Sequence, residues 1–203
     1  MNPNYASQNQ ATKLSSHNYL IHLINIQGLS QTKMIDIENL MKSSDKLAIF
    51  CVTETQLKRN SIKNSNNIKF IHQMRLPNDK KGGGLALFWK YHPTIDIEEE
   101  LYVHDDLLFC KCKIKNRTFF ILLVYLPFND DQLSSILVSK ITTLLEKYGS
   151  ENIMLLGDFN GHLGFLGKQK LDSNGKRVLK LTEKFNLCLL NLDDQTEGKF
   201  TWT

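Results

Sequence analysis

"NIMLLGDFNGHLG", residues 152–164, decides how the rest of the chain is read. Four apolar residues, Ile153 to Leu156, run into Gly157, Asp158, Phe159, Asn160 and Gly161. A short apolar run closed by glycine is the pattern of a buried strand and its exit turn. Asp and Asn suit such a turn, because their side chains hydrogen-bond local backbone. Turn chemistry therefore explains Asp-x-Asn by itself, and only the neighbouring elements can give it a second meaning.

Working outward, strands and helices alternate. "YLIHLINI" (19–26) and "KLAIFCV" (46–52) read as strands. Between them Met34, Ile37 and Met41 share one helical face over 31–42, with Ser30 as N-cap. A polar loop (58–67) leads to "IKFIHQMRL", and "GGGLALFW" opens a further strand on three glycines. "CKCKIK" (110–115) alternates apolar residues with lysine, the mark of a strand with one solvated face. Asn116-Arg117 turns it into "TFFILLVYLP". Asp130 or Asp131 then caps a helix bearing Leu133, Ile136, Leu137, Ile141, Leu144, Leu145 and Tyr148, closed by Gly149. Val178, Leu181 and Phe185 mark a last helix, and "LCLLNL" (187–192) a last strand. Consecutive strands without a helix across 84–125 exclude a purely parallel sheet, so the class is mixed α/β, sheets flanked by helices.

Composition narrows the setting. The 203 residues are 41% hydrophobic, enough for one substantial core. The formal charge of +4 suits contact with a polyanion but falls far short of a nucleic-acid coat. Cys51, Cys110, Cys112 and Cys188 form no CxxC pair and have no histidine at ligand spacing, which argues against zinc. Each sits in an apolar strand-like run, where a free thiol acts as a small hydrophobe, and a reducing intracellular compartment fits. Residues 1–18 read as a polar disordered leader, and 19–203 as a single domain without a membrane-spanning run.

The polar residues gain their second meaning at the strand ends. The first strand ends on Asn25 and Gln27, the second on Glu54, the strand before the long helix on Tyr125, and the quoted one on Asp158 and Asn160. In open α/β sheets ligands gather beyond the carboxyl ends of strands, so these side chains are candidates for one cleft. Carboxylates, amides and a phenol form a hard-oxygen set that suits Mg²⁺ completed by a substrate phosphate. No Ser-His or Cys-His arrangement is visible, so phosphate-ester hydrolysis fits better than acyl transfer.

"NIQGL", "TETQL", "GGGLALF", "VYLP" and "LLGDFNGHLG" occur in the order seen in the endonuclease/exonuclease/phosphatase superfamily. From Tyr19 onward the chain most resembles the apurinic-endonuclease-like domain of non-LTR (LINE-type) retrotransposon polyproteins. The resemblance implies a DNase I-like four-layer sandwich, two mixed β-sheets with helices outside. It also implies a DNA-nicking, Mg²⁺- or Mn²⁺-dependent endonuclease, monomeric, nuclear or cytoplasmic, ahead of a reverse transcriptase domain. Carried over, Glu54, Asn25 and Asp158 hold the metal, and Asp158 also orients the water. Asn160 positions the phosphate or Asp158, and Tyr125 bonds the scissile phosphate. Gln27 stands where apurinic repair enzymes carry Asp. The family's Ser-Asp-His block has no counterpart before "GKFTWT", so the fold is expected to lack its last strands and the fragment to cut poorly.

Each assignment has a plainer alternative. Glu54 can also be read as a surface acid, Asn25 as a turn cap, and Tyr125 as a core aromatic. His162 is a weaker base, because its turn exposes it in any case. Lys80, Lys81 and the stripe Lys111, Lys113, Lys115 read as solvated faces, and Glu98 to Glu100 as an acidic loop. A degenerate copy that binds without cutting, or a phosphodiesterase acting on another ester, are the competing functions.

Overall fold

The apolar runs close into two sheets, each built around one parallel strand pair with a helical crossover. The computed structural model describes residues 19–43, 47–57, 67–74, 82–99, 104–128, 130–150, 152–164 and 170–190. In the first sheet β1 (Tyr19–Asn25) lies parallel to β2 (Leu47–Thr53), joined through α1 (Gln31–Ser43). β4 (Leu85–Lys90) runs antiparallel to β2, and β3 (Ile68–Gln73) antiparallel to β4, giving the order β1-β2-β4-β3. In the second sheet β5 (Ile95–Glu99), β6 (Leu107–Ile114) and β7 (Arg117–Tyr125) form an antiparallel meander. β8 (Ile153–Asp158) then lies parallel to β7 after α2 (Asp131–Tyr148), giving the order β5-β6-β7-β8. Parallel neighbours cannot be joined by a tight hairpin, which is why helices occur at these two crossovers, whereas β3–β4, β5–β6 and β6–β7 are antiparallel neighbours consecutive in the chain. The last helix is α3 (Ser173–Phe185).

Three apolar clusters define four layers. Between the sheets lie Ile49, Cys51, Leu85, Leu87, Cys110, Ile121 and Leu123, all fully buried. α1 places Ile37 and Met41 on the outer face of the first sheet, against Phe50, Val52 and Phe88. α2 places Leu133, Leu137, Ile141 and Leu144, and α3 places Leu181, on the outer face of the second, against Phe109, Phe120 and Leu122. Strand alternation sends each odd or even set to its own layer. The expected four-layer sandwich is the fold observed.

Caps set the helix starts. Ser30 Oγ accepts from the Lys33 amide at 3.3 Å and Asp130 Oδ1 from that of Leu133 at 2.9 Å. Cys110 and Cys112 share the inner face of β6, with Lys111 and Lys113 on the other. All four cysteines are free thiols. Burial pushes those of Cys51, Cys110 and Cys112 well above the usual range, so they are chemically quiet.

Some expectations are corrected. Leu187 to Leu190 form no strand, and Asn191 and Leu192 lie outside the described residues. The left-handed Asn186 ends α3, and the amide of Leu187 returns to Thr182 O at 2.9 Å. No described strand pairs with Leu187 to Leu190. Cys188 is accordingly exposed rather than packed in a strand. Glu98 and Glu99 belong to β5, not to a loop, because Ile95 and Ile97 alternate with acids and bury against the core. In the register Lys111 faces Glu98 and Lys113 faces Asp96, which gives those lysines a cross-strand role within the sheet. The β6–β7 turn is Lys115-Asn116, with Lys115 left-handed at φ 54°, one residue earlier than expected. The leader, most of the 58–67 loop, Lys80, Lys81, Glu100 and "GKFTWT" lie outside the described residues.

Candidate active site

The four strand ends picked out by sequence meet at one rim of the sandwich. Asn25 follows Tyr19 and Ile21 on the inner face of β1, and Asp158 follows Met154 and Leu156 on that of β8. Tyr125 follows Ile121 and Leu123 on β7. Alternation therefore aims all three between the sheets at their parallel carboxyl ends. Glu54 is different. Continuing β2 regularly would send it outward with Phe50 and Val52, but it sits at φ 54°, and this left-handed step frees it from the strand's alternation. The conformation costs roughly 1–3 kcal/mol in a residue with a Cβ. Gln27, Gln56 and Asn160 are also left-handed, so backbone strain concentrates beside the site.

The side chains bond across the gap between the sheets. Asn25 Nδ2 donates to Asp158 Oδ2 at 2.6 Å, and the amide of Asn160 donates to Asp158 Oδ1 at 3.0 Å. Asn25 Oδ1 in turn accepts from the Gln27 amide at 3.2 Å, which orients the carboxamide. Tyr125 is only 7% exposed and hydrogen-bonds both Glu54 and Asn160. Burial first, then the charge and hydrogen bond of Glu54 and the charge of Asp158, push its phenol up to about 12, against the opposing bond from Asn160. It is therefore a neutral donor near pH 7.

A supporting shell fixes these groups. Lys33 Nζ donates to the carbonyls of Ile26 at 2.6 Å and Gly28 at 3.0 Å, locking the loop after β1. That loop pairs with the segment after β2 through Gly28 N to Glu54 O at 2.7 Å and Leu29 N to Thr55 O at 2.8 Å. Asn160 Nδ2 reaches Leu126 O at 3.1 Å. Asn174, fully buried, donates to Phe159 O at 2.9 Å and Pro127 O at 3.3 Å, so the loops after β7 and β8 are tied together. Gly82 lies over the Tyr125–Glu54 pair. A Cβ there would stand 2.9 Å from the Tyr125 hydroxyl, so the backbone's close approach requires glycine.

The donor set fits a hard divalent cation. Two carboxylates, Glu54 and Asp158, and the Asn25 amide offer oxygen donors at the rim, and Mg²⁺ ordinarily takes one or two carboxylates and keeps its waters. The hydroxyls of Thr53 and Thr55, either side of Glu54, are buried without a hydrogen-bond partner among the described residues, which leaves polar demand for water there. Both oxygens of Asp158 already accept a hydrogen bond, so this carboxylate suits orienting a water, while Glu54 bonds Tyr125.

The structure thus brings together Asn25, Glu54, Tyr125, Asp158 and Asn160. Gln27 is exposed and contributes its backbone amide rather than its side chain. Lys33 and Asn174 have no signal in the sequence. Their targets are backbone carbonyls, which leave no trace in a side-chain pattern.

A family model described as endonuclease-reverse transcriptase matches residues 119–203, which bears out the resemblance read from the sequence blocks. Among solved structures, the chain is similar to the endonuclease domain of TRAS1, a telomere-specific non-LTR retrotransposon. The match has 15% identity and a TM-score of 0.61, covering 86% of this chain and 74% of that one. It is also similar to the 3′ phosphatase NExo from Neisseria bound to a product DNA hairpin, at 13% identity and TM-score 0.54, covering 80% and 70%. The 3′-5′ exonuclease NExo from Neisseria meningitidis matches at 13% identity and TM-score 0.52, with the same coverage of 80% and 70%. At these identities the likeness establishes the fold. A sequence comparison with curated proteins gives no match.

Proposed function

We propose that this cleft hydrolyses phosphodiesters in DNA with the help of a divalent cation, Mg²⁺ or Mn²⁺. In this reading residues 19–203 belong to the endonuclease domain of a non-LTR retrotransposon polyprotein, acting in the nucleus ahead of a reverse transcriptase domain. The observation that carries the reading is the Asn25–Asp158 bond at 2.6 Å, which joins the polar ends of two sheets over an otherwise apolar core.

Glu54, with Asn25 and Asp158 beside it, would hold the cation, which supplies Lewis-acid polarisation of a phosphoryl oxygen. Asp158, held by Asn25 and Asn160, keeps a lone pair on each oxygen to align the attacking water and accept its proton. Tyr125, kept protonated, donates to a phosphate oxygen as charge develops there. Nicking of supercoiled plasmid in Mg²⁺ is the test. Asp158→Ala should lower the rate by about 10²–10⁴-fold, the usual worth of a placed acid or base. Nicking that survives this change, or survives chelation, would refute the assignment.

A non-cleaving copy is the second reading. It is favoured by one observation: Gln27, which stands where apurinic repair enzymes carry Asp, is exposed and offers Asn25 only its backbone amide. DNA binding without any nicking would decide for it.

A further inference from the structure

Four residues beyond Asp158 lies a second pair of chemical groups that the proposed hydrolysis does not use. His162 Nδ1 and Asp172 Oδ2 are 2.6 Å apart. Asp172 is itself fixed, since it caps α3 by accepting from the Gly175 amide at 2.7 Å. The backbones are clamped as well: the Asp172 amide donates to His162 O at 3.2 Å, and a Cβ on Gly175 would fall 2.0 Å from that oxygen. The imidazole is therefore held in place, yet its side chain remains 46% exposed. The carboxylate has no proton to give, so Nδ1 must carry the hydrogen and Nε2 is the free nitrogen. Among the described residues Asp172 is the one charged group bonded to His162, and α3 is the element packed against it.

We infer that His162, oriented by Asp172, is a nucleic-acid contact that binds a backbone phosphate flanking the scissile one. The inference rests on the proposed nuclease reading. Four residues reach at most about 14 Å, and a DNA strand carries one phosphate per roughly 3.4 Å of helix axis. His162 therefore falls within about four nucleotides of the reaction centre. Neutral His162 offers only an acceptor at Nε2 and cannot bond a phosphate oxygen. The imidazolium offers an N–H and a positive charge. Affinity for DNA should then be greater at acid pH, where the imidazolium forms.

The test is fluorescence anisotropy of a labelled DNA duplex with the full chain, in chelator, between about pH 5 and pH 8. The wild-type protein should bind more tightly at the acid end, and His162→Gln should weaken that binding roughly tenfold and flatten the profile. Asp172→Asn, which keeps a capping side chain but loses the charge beside the ring, should weaken the binding at the acid end. His162→Arg should restore tight binding at every pH, and the salt slope should fall by about one contact in His162→Gln. A wild-type profile that is flat, one unchanged in His162→Gln, or no DNA binding at all would overturn the inference. Plasmid nicking with an unchanged His162→Gln binding profile would overturn it alone. Pronounced pH-dependent binding without nicking would sink the hydrolytic reading and leave the contact standing.

Discussion

Glu54 illustrates a conflict between folding and chemistry at a single residue. Its φ of 54° is the conformation glycine adopts freely, and the site holds a glutamate there. Glu54→Gly should therefore stabilise the fold by about 1 kcal/mol, raising Tm by roughly 2–4 °C. The same change should remove cation binding, read by calorimetric titration with Mg²⁺. Glu54→Ala should lose the binding with no gain in Tm, because its Cβ keeps the strain. A Glu54→Gly protein no more stable than Glu54→Ala would mean that the backbone is relaxed as it stands. This conformation is not legible in the sequence, since "TETQL" contains no glycine to announce it. Asn25, Asp158 and Tyr125 are legible, because they end apolar runs whose period already fixes which way they point.

At the scale of the element, α3 depends on a cap that titrates. Burial works against ionisation of Asp172, but the bonds from the Gly175 amide and from His162 outweigh it and hold its carboxyl below the ordinary 3.8. The folded chain then binds fewer protons at this group than the unfolded chain. Its contribution is complete above about 3.8 and is lost as pH falls through the lower folded value. Wild-type stability in urea should decline over that acid window more steeply than that of Asp172→Asn. At neutral pH Asp172→Ala should cost about 1 kcal/mol, the usual worth of an N-cap. Equal acid slopes for wild type and Asp172→Asn would show that the carboxyl adds nothing beyond a neutral cap. Helices and strands are readable wherever the apolar period runs long, as in Leu133, Leu137, Ile141 and Leu144. The reading fails where periodicity lacks a partner, as in Leu187 to Leu190, and where acids on an outer face hide β5.

For the whole molecule, the site is a joint between two sheets, so its occupancy should be felt as global stability. A cation at ten times its Kd adds about 1.4 kcal/mol to a fold that alone can bind it. Mg²⁺ should raise the Tm of the wild-type chain by roughly 3–6 °C and leave that of Glu54→Gln unmoved. Equal shifts in both would place the ion elsewhere. The division of the site has a further consequence during synthesis. A ribosome finishes Asn25 and Glu54 while more than half of the domain is still unmade, and Asp158 emerges only after β5, β6, β7 and α2. A nascent chain, or one whose halves have docked out of step, carries two separated parts of the proposed site. Only a chain that has closed both layers onto each other holds the complete set.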